Sequence, residues 1–203
     1  MSIYFHKNDL PDSLSLGPVV AIDTETMGLN LQRDRLCLVQ LSAGDGDAHL
    51  VQIGADPQPC PNLEHLLSDP TCEKLFHFGR FDIAMLKKHV GPFSGSVFCT
   101  KIASKLCRTY TDRHGLADLC RELLGLEISK QQQSSDWGSG ELSKQQQDYA
   151  ASDVLHLHQL KDKLTNMLIR SGRLEMAENC FAFLSIRTDL DLAGFETLDI
   201  FHH

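Results

Sequence analysis

The chain has 203 residues, 42% hydrophobic and 23% charged, the balance of a soluble globular protein with a sizeable core. No apolar run approaches the roughly 18 residues that span a bilayer, and Met1-Ser2-Ile3-Tyr4-Phe5-His6-Lys7 lacks the apolar centre of a signal peptide, so a cytoplasmic protein with no membrane partner is expected. The formal net charge of -8 argues against a processive grip on long nucleic acid through phosphate neutralisation; a short substrate held through divalent cations remains compatible with it.

In chain order, residues 19–24 form a short apolar run entered through Gly17-Pro18 and read as a buried strand. Residues 36–42 and 48–53 read as two more strands around the turn signal Gly44-Asp45-Gly46-Asp47. A short helix is expected over 62–67, a fourth strand over 74–78, and a helix over 81–89 stopped by Val90-Gly91-Pro92. A fifth strand, 97–99, precedes helices near 101–107 and 116–124. Ser129-Lys130-Gln131-Gln132-Gln133 recurs as Ser143-Lys144-Gln145-Gln146-Gln147, a coincidence of polar sequence since the flanks differ. In the second copy, Ser143 and Gln146 have the form of a capping box, opening one long helix over 144–170 that ends before Gly172. A last helix is expected over 173–187. The apolar tail 190–201 either covers its own core or pairs with another subunit. The expectation is one domain over 1–203, with a core at 18–170 and a C-terminal helix and tail at 171–203. Seven scattered cysteines without a Cys-x-x-Cys pair read as reduced core residues, not zinc ligands.

Three acidic segments carry the chemistry. Asp23 and Glu25 stand two apart on a predicted strand, so their side chains leave the same face. Two carboxylates at the end of a buried strand are costly unless paired, and hard cations such as Mg²⁺ and Mn²⁺ take carboxylate oxygens. Asp82 opens a helix after a strand and a glycine. Alone it would read as a helix cap; beside Asp23 and Glu25 it reads as a ligand. Tyr149 and Asp153 are four apart and share one helix face. In the apolar context Ala150-Ala151-Ser152-Asp153-Val154-Leu155, Asp153 needs a partner that a metal supplies. The set predicts two-metal phosphodiester hydrolysis, with Asp23, Glu25, Asp82 and Asp153 as ligands and Tyr149 orienting or helping to deprotonate the water. Trp137, the sole tryptophan, is either a stacking platform for a base or a loop anchor. Arg108, Arg113 and Lys130 are candidate phosphate contacts, with solvated charge the default.

These residues resemble the 3′–5′ exonucleases of the ribonuclease D type, the DEDD superfamily with tyrosine in its last motif. The resemblance covers residues 18–170 and includes Asp23-Thr24-Glu25-Thr26-Met27-Gly28-Leu29, His114-Gly115-Leu116, and Ser135-Asp136-Trp137 with Leu142, Gln146 and Tyr149-Ala150. It implies an α/β, RNase H-like fold: a mixed five-stranded sheet flanked by helices, with the carboxylates near its centre. It places Thr24, Met27 and Leu29 of the first motif at the substrate, Leu29 as a wedge against the terminal bases unless it is an ordinary packed residue. His77 and Phe78 fall where the family lines its nucleotide pocket, though a histidine there can also be a bonded strand residue. Ribonuclease D proper carries C-terminal helical RNA-binding domains for which residues 171–203 leave no room, so the compact nanoRNase C type is the better likeness. That type implies two divalent cations, short single-stranded RNA or dinucleotides as substrate, and a homo-oligomer, an octamer in that type. The competing readings are a general RNA-trimming enzyme, a DNA 3′–5′ exonuclease, or a catalytically silent nucleic-acid-binding relative.

Overall fold

The structure is a computed structural model that describes residues 2–129 and 131–203. Among these residues, six strands form one mixed sheet: β1 (Ile3–Lys7), β2 (Val19–Thr26), β3 (Leu36–Ser42), β4 (Ala48–Gln52), β5 (Glu73–Phe76) and β6 (Val97–Cys99), in the order β1-β4-β3-β2-β5-β6. The β2–β3 and β3–β4 pairs are antiparallel; β1–β4, β2–β5 and β5–β6 are parallel. The expected five strands are all present, and the sheet has a sixth. β1 was missed because its partner is nonlocal: Ile3 to Lys7 align with Ala48 to Gln52 across the edge of the meander, and nothing in five mostly exposed residues announces that pairing.

Every residue of β3 is buried, and so are Val20, Ala21 and Ile22 of β2, which explains the unbroken apolar runs. Around the sheet lie α1 (Pro61–Ser68), α2 (Arg80–His89), α3 (Thr100–Cys107), α4 (Leu116–Leu119, continued as a π turn to Leu124), α5 (Lys144–Leu155), α6 (Leu157–Arg170) and α7 (Leu174–Leu190). The capping box is formed: Ser143 Oγ accepts from the Gln146 amide at 3.2 Å, and Gln146 Oε1 accepts from the Ser143 amide at 2.9 Å. The single helix expected over 144–170 is two. At His156 the backbone leaves the helical path (φ -107°, ψ -2°). α5 buries Ala150, Ala151 and Val154 against the sheet, whereas α6 buries Leu157, Leu160, Leu164 and Leu168 and packs on α3 and α7. Two differently placed surfaces set this break, with neither Pro nor Gly at the junction.

β2 pairs with β5 only through Val19, Val20 and Ala21. Past Ala21 the two parallel strands part, and the β2–β3 register slips between Glu25 and Thr26. The second half of β2 therefore opens onto a cleft where β5 has turned away.

The C-terminal tail is covered only at its start, where Asp191 is buried and Leu192 packs on the core. Leu198, Ile200 and Phe201 are exposed, as are Ile169, Met176 and Ile186 on the last two helices. No helix among the described residues is long and apolar enough to cross a membrane.

Candidate active site

Asp23 and Glu25 project from the unpaired half of β2 into a cleft of about 360 Å³. Asp153 enters from α5. One carboxylate oxygen from each of these three residues lies within 4.8 Å of the others. Asp82, in the first turn of α2, is buried beside them and accepts a 2.6 Å bond from the Thr24 hydroxyl. Tyr149, one turn before Asp153 on α5, lines the same cleft, and its hydroxyl interacts with the Asp153 carboxylate.

Burial raises every pKa in this group, and like charge adds to it at Asp23, Glu25 and Asp153. Burial, then Asp82, Asp153 and Glu25, push Asp23 well above the carboxylate range. Glu25 is pushed up to about 9, by burial and then by Asp153 and Asp82. Burial lifts Asp82 to about 6 against the opposing bond from Thr24. Asp153 is lifted to about 7, mostly by burial, with Tyr149 pulling the other way. Burial and the neighbouring carboxylates also raise the Tyr149 phenol. None of the four carboxylates forms an ion pair with a lysine or arginine among the described residues. Three hard oxygen donors in one cleft, with Asp82 buried beside them, fit divalent cations such as Mg²⁺ or Mn²⁺.

Of the residues expected at a substrate, Thr24, Leu29, His77 and Phe78 line the cleft. Leu29 is 83% exposed, a bare apolar side chain at the rim. His77 Nδ1 lies 2.9 Å from the Thr100 hydroxyl, which ties the end of β5 to α3. Two of the expected residues lie outside this cleft, Trp137 in the place of a loop anchor. Met27 turns away and packs on Gly138, leaving no room for a Cβ there. Trp137 is buried among Cys37, Leu38, Leu50, Leu142 and Ala150, its ring 6.0 Å from that of Tyr149. It supports the tyrosine from behind and offers no face to a base. Arg108 is fully buried, paired with Glu122 and bonded to Ser104 and the Arg113 carbonyl; it braces the loop after α3 and does not meet phosphate. Arg113 is exposed, and Lys130 lies outside the described residues.

Sequence reasoning missed Lys101. Among the described residues it is the one lysine or arginine lining the cleft. Its Nζ stands 4.1 Å from the centre of the Phe78 ring, and it forms no ion pair with any described residue. The available signal was its place in the first turn of α3, where a positive charge opposes the helix dipole. Gln40 was missed too. It is buried on β3 opposite Asp23, and its amide nitrogen sits 3.4 Å from the Asp23 carboxylate.

A family profile described as "3'-5' exonuclease" matches residues 4–169. Ribonuclease D of Gluconacetobacter diazotrophicus is 35% identical over 168 residues, 83% of this chain but 42% of that protein. The chain thus spans about two fifths of the length of the first curated relatives it matches. Among solved structures, Brucella melitensis NrnC with bound Mg²⁺ is 55% identical, with full coverage of both chains and a TM-score of 0.95. The same protein bound to pGG is 56% identical with a TM-score of 0.96, covering 100% of this chain and 99% of that one.

Proposed function

Because the chain belongs to the 3′–5′ exonuclease family, we propose that it is a metal-dependent 3′–5′ exoribonuclease. Its substrates are short oligoribonucleotides, dinucleotides above all, which it hydrolyses to 5′-mononucleotides. The observation that carries this is the cluster of Asp23, Glu25 and Asp153 beside Tyr149 in one cleft, with the Asp82 carboxylate buried next to it. Similarity over the whole chain to a protein solved with Mg²⁺ and with pGG supports the metal and the short substrate.

In this reading the four carboxylates hold two divalent cations. When bound, the cations supply Lewis acidity, lowering the pKa of an attacking water and stabilising charge on the leaving 3′ oxygen. Thr24 fixes the Asp82 carboxylate by its 2.6 Å bond, and Gln40 steadies Asp23 from the neighbouring strand. Tyr149 orients the water through its hydroxyl, backed by Trp137. Leu29 and Phe78 offer apolar faces to bases, and Lys101 offers the cleft a positive charge for a substrate phosphate.

Tyr149→Phe is expected to lower kcat about 100-fold and leave the Mg²⁺ concentration for half-activity near the wild-type value. Steady-state kinetics against Mg²⁺ check this; an unchanged kcat reduces Tyr149 to packing.

The deciding experiment is a time course on 5′-labelled RNAs from two to about twenty nucleotides, with Mg²⁺ or Mn²⁺ and an EDTA control. Preferential loss of the dinucleotide supports the proposal. Even shortening of long RNA with dinucleotides left over overturns the short-substrate part, and cleavage of DNA strands alone points to a DNA exonuclease.

The exposed apolar residues of α6, α7 and the tail support a homo-oligomer, an octamer by likeness to the compact type. Light scattering on the purified protein is expected to give a mass several times that of one chain.

A further inference from the structure

The family match stops at residue 169, yet the end of α7 and the turn after it are bonded to Arg80, which stands between the cleft residues Phe78 and Phe81. Asp191, only 3% exposed, is the centre of this contact. Arg80 Nε and Nη2 donate to its two carboxylate oxygens at 2.6 and 2.7 Å. Arg187, one helical turn earlier, donates to the same carboxylate at 2.8 Å. Arg80 Nη2 also reaches the Glu196 carbonyl at 2.8 Å, and Gln32 Nε2 reaches the Leu192 carbonyl at 3.3 Å. A buried carboxylate gripped by a two-point guanidinium and a second arginine fixes orientation as well as charge.

What it fixes lies next door. Arg80 follows Phe78-Gly79 in sequence. Phe78 has a left-handed backbone, φ 67°, which costs a bulky residue about 1 kcal/mol or more and persists only where the surroundings enforce it. β5 holds one end of this turn. Gly79 is pressed onto Phe76, where a Cβ would lie 2.5 Å from the Phe76 Cβ. Arg80 and Asp191 hold the other end. A second cavity of about 190 Å³ shares Leu29, Phe78 and Phe81 with the cleft and ends at Arg80, Asp191 and Glu196. The rim that faces a nucleotide is therefore the outer surface of this clamp.

We propose that the turn after the last helix is part of the substrate site, with Asp191 a positioning residue that holds Arg80 and, through it, the Phe78 and Leu29 wall on which a nucleotide is seated. This rests on the reading of the cleft as a nuclease site. Asp82, two residues beyond Arg80 on α2, is anchored separately by Thr24. Loosening the clamp thus shifts the nucleotide wall more than the carboxylates.

The test is a kinetic cycle of Asp191→Asn, Arg80→Met and the double variant on 5′-phosphorylated diguanylate, with calorimetric binding of 5′-GMP as a readout that needs no turnover. Each single variant is expected to raise KM and weaken GMP binding about tenfold, with a smaller change in kcat and in the Mg²⁺ requirement. The double variant is expected to lose far less than the sum of the two single ones, because both remove the Arg80–Asp191 contact. A lowered melting temperature with KM and GMP affinity unmoved overturns the proposal and leaves a structural brace. Additive losses also overturn it, since the two residues would then act separately. A wild-type protein that binds GMP but does not hydrolyse diguanylate defeats the nuclease reading, while GMP affinity in the variants still decides the clamp.

Discussion

Asp23→Asn is expected to cut hydrolysis about 1,000-fold or more and, in cation-free buffer, to raise the melting temperature. Both effects have one origin. Asp23 is the carboxylate most crowded by the others: burial acts on it first, then the charges of Asp82, Asp153 and Glu25. Shape is conserved by the substitution, and Gln40, whose buried Oε1 lacks a partner among the described residues, can accept from the new amide. A carboxyl whose titration moves by one pH unit carries about 1.4 kcal/mol. Removing one charge from a cluster this perturbed is therefore expected to raise Tm by about 5 °C at neutral pH. Differential scanning calorimetry in EDTA, beside the dinucleotide assay, reads both. Loss of activity together with a lower Tm would mean that Asp23 is a structural residue whose removal damages the fold.

Chelation is expected to abolish turnover, and returned Mg²⁺ to raise Tm by more at pH 8 than at pH 5. The sign follows from the direction of the shifts. Asp82 at about 6, Asp153 at about 7 and Glu25 at about 9 all stand above their ordinary values. Between about pH 4, where unfolded carboxyls ionise, and about pH 9, the folded protein holds more protons than the unfolded one. Stability of the cation-free protein therefore falls as pH rises through this window. Below about pH 4 both states are protonated and the penalty vanishes. Cations bind the ionised cluster, so their affinity and the stability they add grow through the same window. Melting curves from pH 5 to 8.5, with EDTA and with Mg²⁺, check this. A cation-free Tm that is flat or rises across that range would falsify the account of the cluster.

The carboxylates were legible because their signals are local. Two acids in a β-period pair, an acid after a strand and glycine, and a tyrosine and acid one helical turn apart each declare a face and an element end. What stayed hidden depends on partners far away in sequence. Trp137 looked available in its polar surroundings, but Leu38, Leu50 and Ala150 converge on it from three other elements. Met27 adjoins the motif yet is drawn to Gly138. β1 is a strand only because β4 offers it an edge. The break at His156 follows from the separate surfaces on which α5 and α6 rest. Lys101 was overlooked because its role is set by the absence of any other lysine or arginine around the cleft among the described residues, which the linear order does not display.

The site's carboxylates arrive on widely spaced parts of the chain: Asp23 and Glu25 on β2, Asp82 on α2, Asp153 on α5. During synthesis, Asp23 and Glu25 are made long before Asp153, the last of these. A nascent chain that already has its central strands still lacks the residue that completes the cluster. The cluster is thus incomplete until α5 has been made and has packed against the central strands. A fragment ending before α5 lacks Tyr149 and Asp153 together.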